Sequence, residues 1–189
     1  MISPEFIIFT GPMFSSKTTK LLAVVDRYIY QKKAVIAFKP KLDDRYASGE
    51  ISTHNGGRLK AVTVNTGLEV EKHVLGADEN VNVVAVDEAF MIDDIAISLI
   101  KLFQMGKTIV VSSLQLSASC NVFEEVRDMM PFATNIEVCP AVCPITGQNA
   151  YYTHRKHDNI GEIAVGGAEL YEPRCWEYHS HMNKLEQND

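Results

Sequence analysis

Apolar residues along this chain come in two alternating arrangements. Residues 5–10, EFIIFT, form a short unbroken run that stops at Gly11, as a strand buried on both faces would. From Thr18 the spacing changes, and Leu21, Leu22, Val25 and Ile29 recur at helical intervals. Unbroken runs return at 34–40, AVIAFKP, and at 61–65, AVTVN. Residues 41–60 between them are polar and carry Gly49, Gly56 and Gly57, which predicts a loop. A short helix is expected over 68–75. The run 81–89, VNVVAVDEA, reads as a strand ending in two carboxylates. Asp93 or Asp94 then caps a helix whose apolar face is Ile95, Leu99, Leu102 and Phe103. TIVVSSL, 108–114, is another central strand. Strands apolar throughout, alternating with helices, specify an α/β domain around a parallel sheet, expected over 1–138. Beyond about Val138 the pattern breaks into short pieces rich in Cys, Pro, Gly and Tyr, so 139–189 reads as a small second lobe.

Composition narrows the class without naming it. The 189 residues are 46% hydrophobic and 22% charged, ordinary for a soluble globular protein. A net charge of -6 argues against a nucleic-acid-coating surface, although one locally positive site could still take a small anion. No apolar run approaches the ~20 residues of a membrane helix. Residues 5–9 run straight into Gly11 with no basic segment before them, so no secretory leader is expected and the cytoplasm is the default compartment. Of the four cysteines, Cys139, Cys143 and Cys175 fall in the last third, which in a reducing compartment suggests metal before disulfide.

The segment GPMFSSKTT, from Gly11 through Pro12, Met13, Phe14, Ser15, Ser16, Lys17 and Thr18 to Thr19, matches the phosphate-loop pattern G-x-x-x-x-G-K-[ST] at all but one position. Such a loop works because backbone N–H groups curl around phosphate oxygens at a helix N-terminus, where the helix dipole also favours anions. The Lys reaches the outer phosphates and the following hydroxyl binds magnesium. Here the motif lies between a buried strand and a helix, the context it requires. Ser16 stands where the glycine lets the backbone approach the phosphates, often at positive φ, and a serine there costs ~1 kcal/mol of strain. Its hydroxyl is small and could itself donate to phosphate. The plain alternative is a strand–turn–helix with a chance Lys-Thr.

The second half of the constellation is VVAVDEAF. An Asp at the C-terminal end of an apolar strand, next to the phosphate-loop strand, holds magnesium or its waters, which suits Asp87. Glu88 follows at the mouth of the sheet, where ligands bind and where a carboxylate can take a proton from an attacking hydroxyl. Without the phosphate loop, this pair would read as a solvated strand end.

With these residues in hand, the chain resembles the type II thymidine kinases. GPMFSSKTTKLL is similar to that family's GPMFSGK[ST] loop, and LDDRYASGEISTHNGG to its D-x-R-Y followed by [ST]-H-[DN]. VDEAF resembles V/I-D-E-x-Q-F, AYYTHR resembles A-x-x-T-x-R, and VGGAELYEPRC resembles IGGA-x-x-Y-x-x-x-C. The likeness runs in order along nearly the whole chain. It implies a phosphate-loop NTPase-like parallel sheet flanked by helices, with a small zinc-ribbon-like C-terminal lobe. It implies transfer of the γ-phosphate of ATP, with Mg²⁺, to the 5′-hydroxyl of thymidine or deoxyuridine. Gly11 to Thr19 would hold ATP, Thr18 and Asp87 magnesium, and Glu88 would be the general base. Arg45, with Asp43 nearby, would sit by the transferring phosphoryl group beside Lys17. Met13, Leu114, Phe123, Thr153 and Tyr171 would line the nucleoside pocket, and the backbone of Ala164, Val165, Gly166 and Gly167 would meet the thymine edge. Feedback binding of dTTP and a homotetramer are further implications.

The chain departs from the family at four places. Ser16 replaces glycine. Phe90 sits where the family has Gln, and Met91 where it has the Phe that stacks on the base, so either side chain could cover thymine. The expected L-D-x-x-F becomes Leu114-Gln115-Leu116-Ser117-Ala118. Finally, the family holds zinc on two C-x₂-[CH] pairs. Here Cys143 and Cys175 keep the first positions, while Thr146 and Tyr178 occupy the second. Cys139 and His179 offer a different set, C-x₃-C with C-x₃-H, which is a legitimate Cys₃His site. The alternative is that zinc is lost and these are buried thiols with a surface His. The departures motivate a second functional reading, a catalytically impaired nucleotide-binding sensor or scaffold. Retention of Lys17, Thr18, Arg45, Asp87 and Glu88 stands against it.

Overall fold

The apolar runs become the strands of one sheet in a computed structural model, which describes residues 3–42, 49–53, 56–77, 80–156 and 166–183. In chain order the elements are β1 (Phe6–Thr10), α1 (Lys17–Tyr30), β2 (Val35–Pro40), β3 (Glu50–Ser52), β4 (Arg58–Lys60), β5 (Val62–Val64), α2 (Gly67–Leu75) and β6 (Val83–Val86). There follow α3 (Ile95–Gln104), β7 (Thr108–Ser113), α4 (Glu124–Met129), β8 (Asn135–Val138), β9 (Ala141–Val142), β10 (Asn149–Ala150), β11 (Tyr152–Arg155) and β12 (Tyr171–Arg174). Six strands form a sheet in the order β5-β2-β6-β7-β1-β8, and every pairing in it is parallel. All six strands therefore end at one edge, which gathers the segments after Thr10, Val86 and Ser113.

Alternation along each buried strand sorts its side chains to two faces. Phe6 and Ile8 of β1 and Val84 and Val86 of β6 join α2, α3 and α4 through Val70, Val74, Ile95, Leu99, Leu102 and Met129. Ile7, Phe9, Val83 and Ala85 face the other way, onto Leu21, Leu22, Val25 and Tyr28 of α1. The helical spacing of α1 holds, but its last apolar position is Tyr28. Ile29 is 46% exposed, because the buried stripe at 21, 25 and 28 turns it away from the sheet.

Three further expectations are corrected. The polar stretch 41–60 is not all loop: β3 and β4 pair antiparallel and place Ile51 in the α1-side core. The strand bearing Asp87 is not next to the phosphate-loop strand, since β7 lies between β6 and β1. And neither Asp93 nor Asp94 caps α3 with its side chain. Asp94 is the N-terminal flanking residue, in left-handed backbone at φ 55, with no side-chain cap bond. Glu125 of α4 does that work instead, accepting the N–H groups of Asp94 at 3.1 Å and Ala96 at 2.7 Å. The cap comes from another helix, so local spacing could not reveal it. By contrast α2 carries a local capping box between Thr66 and Glu69.

Past β8 the chain forms two separate antiparallel ladders, β9 with β10 and β11 with β12, beside a small cluster of Ala141, Cys143, Ala150 and Cys175. Membership of a zinc-ribbon class does not follow from this.

Glu125→Ala should destabilise the fold by about 1–2 kcal/mol, the usual cost of a lost helix cap reinforced by the helix dipole. Urea unfolding should show a lower midpoint with an unchanged slope. An unshifted midpoint would show that the carboxylate does not cap α3.

Candidate active site

The turn after β1 carries the loop motif into α1. Gly11 has φ +140, and a Cβ there would lie 2.2 Å from the Cys139 carbonyl oxygen, so the position excludes any side chain. Ser16 precedes the first residue of α1 at φ 60, ψ 22, the left-handed conformation that the family's glycine adopts freely. Phe14 is left-handed too, at φ 64. Lys17 is buried, and its Nζ donates to the Pro12 carbonyl at 2.6 Å and to Ser15 Oγ at 3.3 Å. The ammonium thus occupies the curl of its own loop. The first turn of α1 holds no acidic residue. A helix N-terminus, a buried cation and no opposing carboxylate in the first turn make a setting suited to phosphate.

Across the sheet edge, Thr18 Oγ1 donates to the two Asp87 oxygens at 3.1 and 3.3 Å. Ser112, from the intervening β7, also donates to Asp87 Oδ1. Burial, with Glu88 alongside, holds the Asp87 carboxyl well above the usual carboxylate range, while the two hydroxyls and Lys17 pull it down. A buried carboxylate next to a second one is short of positive charge. That is an environment which a divalent cation would relieve, and Thr18 and Asp87 supply the hydroxyl and carboxylate oxygens such a hard ion prefers. Glu88 is in left-handed backbone at φ 50, and its Oε2 is buried. Strain of this kind gathers at functional sites.

The candidate nucleoside residues fall into pairs. Phe90 and Phe123 pack together with ring centroids 4.5 Å apart and planes tilted by 40°. The Phe90 N–H donates to Ser113 Oγ at 3.1 Å, and Ser113 donates on to the Leu114 carbonyl. Met91 ends the 3₁₀ turn Ala89–Met91 and is half-buried. The Met13 N–H donates to Thr153 Oγ1 at 3.0 Å, joining the phosphate loop to β11. The Arg155 guanidinium lies 5.7 Å from the Tyr171 ring centroid. The Gly167 carbonyl accepts the N–H groups of Leu170 and Tyr171, which is a turn, and Gly166 is half-buried beside it. Thr19 is exposed on α1. Asp43, Arg45, Ala164 and Val165 lie outside the described residues.

Three side chains join the site that spacing did not single out. Ser112 and Ser113 close β7, where two polar residues at the end of an apolar run were the visible signal. Gln115 accepts the Thr10 hydroxyl at 3.2 Å, so it ties the altered 114–118 segment to the strand that feeds the loop.

The structure does not bring Cys139, Cys143, Cys175 and His179 together as one set. Among the described residues, no three His, Cys, Asp or Glu side chains group to hold a metal. Cys139 belongs to the core under α1, and its Sγ contacts the Glu137 carbonyl at 3.8 Å. His179 is not on the surface either. It is 1% exposed, and Nε2 lies 3.0 Å from the Thr153 carbonyl oxygen while Nδ1 receives the His181 N–H at 3.2 Å. Both nitrogens are engaged. Cys143 and Cys175 do remain together, with Thr146 Oγ1 3.7 Å from the Cys175 sulfur. Although burial opposes it, hydrogen bonds from the Cys175, Thr146 and Ile145 N–H groups and the Thr146 hydroxyl bring the Cys143 thiol down to about 6.

Ser16→Gly should raise stability by up to about 1 kcal/mol through relief of the left-handed strain, read as a higher urea midpoint. A lower midpoint would mean that the serine side chain makes a compensating bond. Chelator should leave the thermal midpoint unchanged. A fall, or about one zinc per purified chain, would overturn the metal-free account of the thiols.

Comparison with known proteins fits this geometry. The family model for thymidine kinase matches residues 5–179. A thymidine kinase of Thermococcus kodakarensis is 35% identical over 182 residues, covering 91% of this chain and 92% of that protein. Because the match spans both the main sheet and the small ladders beyond it, the chain belongs to the thymidine kinase family.

Proposed function

We propose that the chain transfers the γ-phosphoryl group of ATP to the 5′-hydroxyl of thymidine, or of deoxyuridine, leaving a nucleoside 5′-monophosphate. The observation that carries this reading is the bond from Thr18 to Asp87, which brings the end of the phosphate loop against two adjacent carboxylates beside buried Lys17. Gly11 to Thr19 enclose the phosphates of ATP, and Lys17 offsets charge on the outer ones. Lys17 must first leave the Pro12 carbonyl, so phosphate oxygens replace that acceptor. Thr18 and Asp87 would hold magnesium, which when bound shields the phosphate charge. Glu88 accepts the 5′-hydroxyl proton as the new oxygen–phosphorus bond forms and the bond to the leaving ADP oxygen breaks. Phe90 and Phe123, with Met13, Met91, Leu114, Thr153 and Tyr171, are the candidate walls for the base and sugar.

Several parts rest on the family resemblance. Arg45, with Asp43 nearby, is proposed to steady the transferring group, and the backbone of Ala164, Val165, Gly166 and Gly167 to meet the thymine edge. Feedback binding of dTTP, a homotetramer and a cytoplasmic location belong to the same proposal, as does a division into residues 1–138 and 139–189. Among the described residues, no helix is long and apolar enough to cross a membrane. Zinc forms no part of the proposal. Nothing in the site favours the sensor or scaffold, since Lys17, Thr18, Asp87 and Glu88 all remain together.

The test is a kinase assay with magnesium and ATP against a panel of deoxynucleosides, in which thymidine and deoxyuridine should be preferred. Glu88→Gln should lower turnover by about 10²–10⁴-fold, the range for loss of a general base, with little change in thymidine affinity. Near-normal turnover in that variant would remove Glu88 from the role. Lys17→Ala should lose both ATP binding and activity.

A further inference from the structure

Among the described residues, His179 is one of the largest side chains buried to below 2% exposure, and the only one of these that carries nitrogen or oxygen. A buried imidazole must satisfy both nitrogens. The Thr153 carbonyl, 3.0 Å from Nε2, can only accept, so Nε2 carries the hydrogen. Nδ1 is then a lone pair, which receives the His181 N–H at 3.2 Å and faces the Cys120 sulfur at 3.9 Å. Burial, with His181 and Arg174 nearby, lowers its pKa and favours this neutral form, against the pull of the Thr153 carbonyl. The rings of Tyr152, His154 and His181 surround it at centroid distances of 5.6, 5.8 and 5.8 Å.

One imidazole therefore joins three segments distant in sequence. They are β11, the loop after β7 at Cys120, and the turn that begins at His179 and closes through the Met182 and Asn183 N–H groups onto the His179 carbonyl. A second bond extends the link. Thr153 holds His179 with its carbonyl and holds the Met13 N–H with its hydroxyl, at 3.0 Å. His179, Thr153 and Met13 thus form a chain of bonds from the far end of the protein to the phosphate loop. The loop at the other contact connects Leu114 to Phe123.

We propose that His179 is a positioning residue for the nucleoside side of the site: through Thr153 it sets β11 against the Met13 turn, and through Cys120 it sets the loop carrying Leu114 and Phe123. It does not touch the reacting atoms. The inference rests on the kinase reading for its kinetic consequences, but the bonded chain is independent of that reading. Thr18 and Asp87 are held by bonds outside this chain, so the larger effect falls on the acceptor and the smaller on ATP, whose loop contains Met13.

The experiment compares His179→Gln with His179→Asn. Glutamine is long enough to donate an amide N–H to the Thr153 carbonyl, whereas asparagine ends near the position of Nδ1. His179→Asn should raise the KM for thymidine about tenfold, with kcat and the KM for ATP within about threefold of the parent. His179→Gln should stay within about threefold throughout. Amide hydrogen exchange supplies a readout that needs no activity: exchange in the segment containing Met13 should quicken in His179→Asn and not in His179→Gln. Thr153→Val breaks the second bond of the chain while leaving His179 in place, so it keeps the proposal testable if His179→Asn fails to fold. Because Thr153 is itself a candidate pocket wall, the deciding readout in that variant is quickened exchange at Met13. An unchanged thymidine KM and unchanged Met13 exchange in these variants would overturn the proposal. So would a rise in both KM values together with a lowered thermal midpoint, which marks a merely structural residue. A parent protein that phosphorylates no nucleoside would instead overturn the proposed function, and the exchange result would still decide whether His179 positions the loop.

Discussion

The site depends on keeping one carboxylate, Asp87, buried at the end of β6. A buried carboxylate is costly unless hydrogen bonds or positive charge compensate it. Here Thr18 donates from the start of α1 and Ser112 from the end of β7, with Lys17 close enough to act on its charge. Those three partners come from two elements, the start of α1 and the end of β7. Satisfying the carboxylate therefore fixes the turn before α1 relative to Glu88.

Strand order makes that arrangement possible. With β7 between β6 and β1, the Asp87 carboxylate and the loop are one strand apart, and the ends of β7 fill the gap with hydroxyls. Ser112 meets Asp87, Ser113 holds the Phe90 N–H, and Gln115 reaches the hydroxyl of Thr10. Three of the six non-glycine residues in left-handed backbone among the described residues, Phe14, Ser16 and Glu88, lie at this edge. Packing beneath them has little freedom to yield, because β1, β6 and β7 are covered on both faces by the two apolar clusters. A rigid floor allows costly conformations to persist above it.

The small ladders beyond β8 are tied to this edge by polar contacts. Thr153 meets Met13, and the backbone around Cys139 closes against Gly11. The three C-terminal thiols are divided between two environments. Cys139 serves the main core, and Cys143 with Cys175 shares a hydrogen-bonded corner with Thr146. Departures at Thr146 and Tyr178 were visible in the sequence. Where the remaining thiols went was not.

The sequence by itself determined the parallel sheet, because strands buried on both faces must be continuously apolar and helices facing a sheet must repeat every three or four residues. It likewise set out the motif over residues 11–19 with Lys17 and Thr18, and the carboxylate pair after β6, since these are contiguous and need no long-range contact to be read. Tertiary structure alone decided which strands are neighbours, and so which side chains converge on Asp87. It also decided that Glu125 caps α3 and that His179 is buried against the Thr153 carbonyl. Each of these is a hydrogen bond between groups about 26 to 31 residues apart, and such bonds leave no periodic trace. What selects them is the cost of leaving a buried donor or acceptor unpaired, a cost that exists only once the chain has folded.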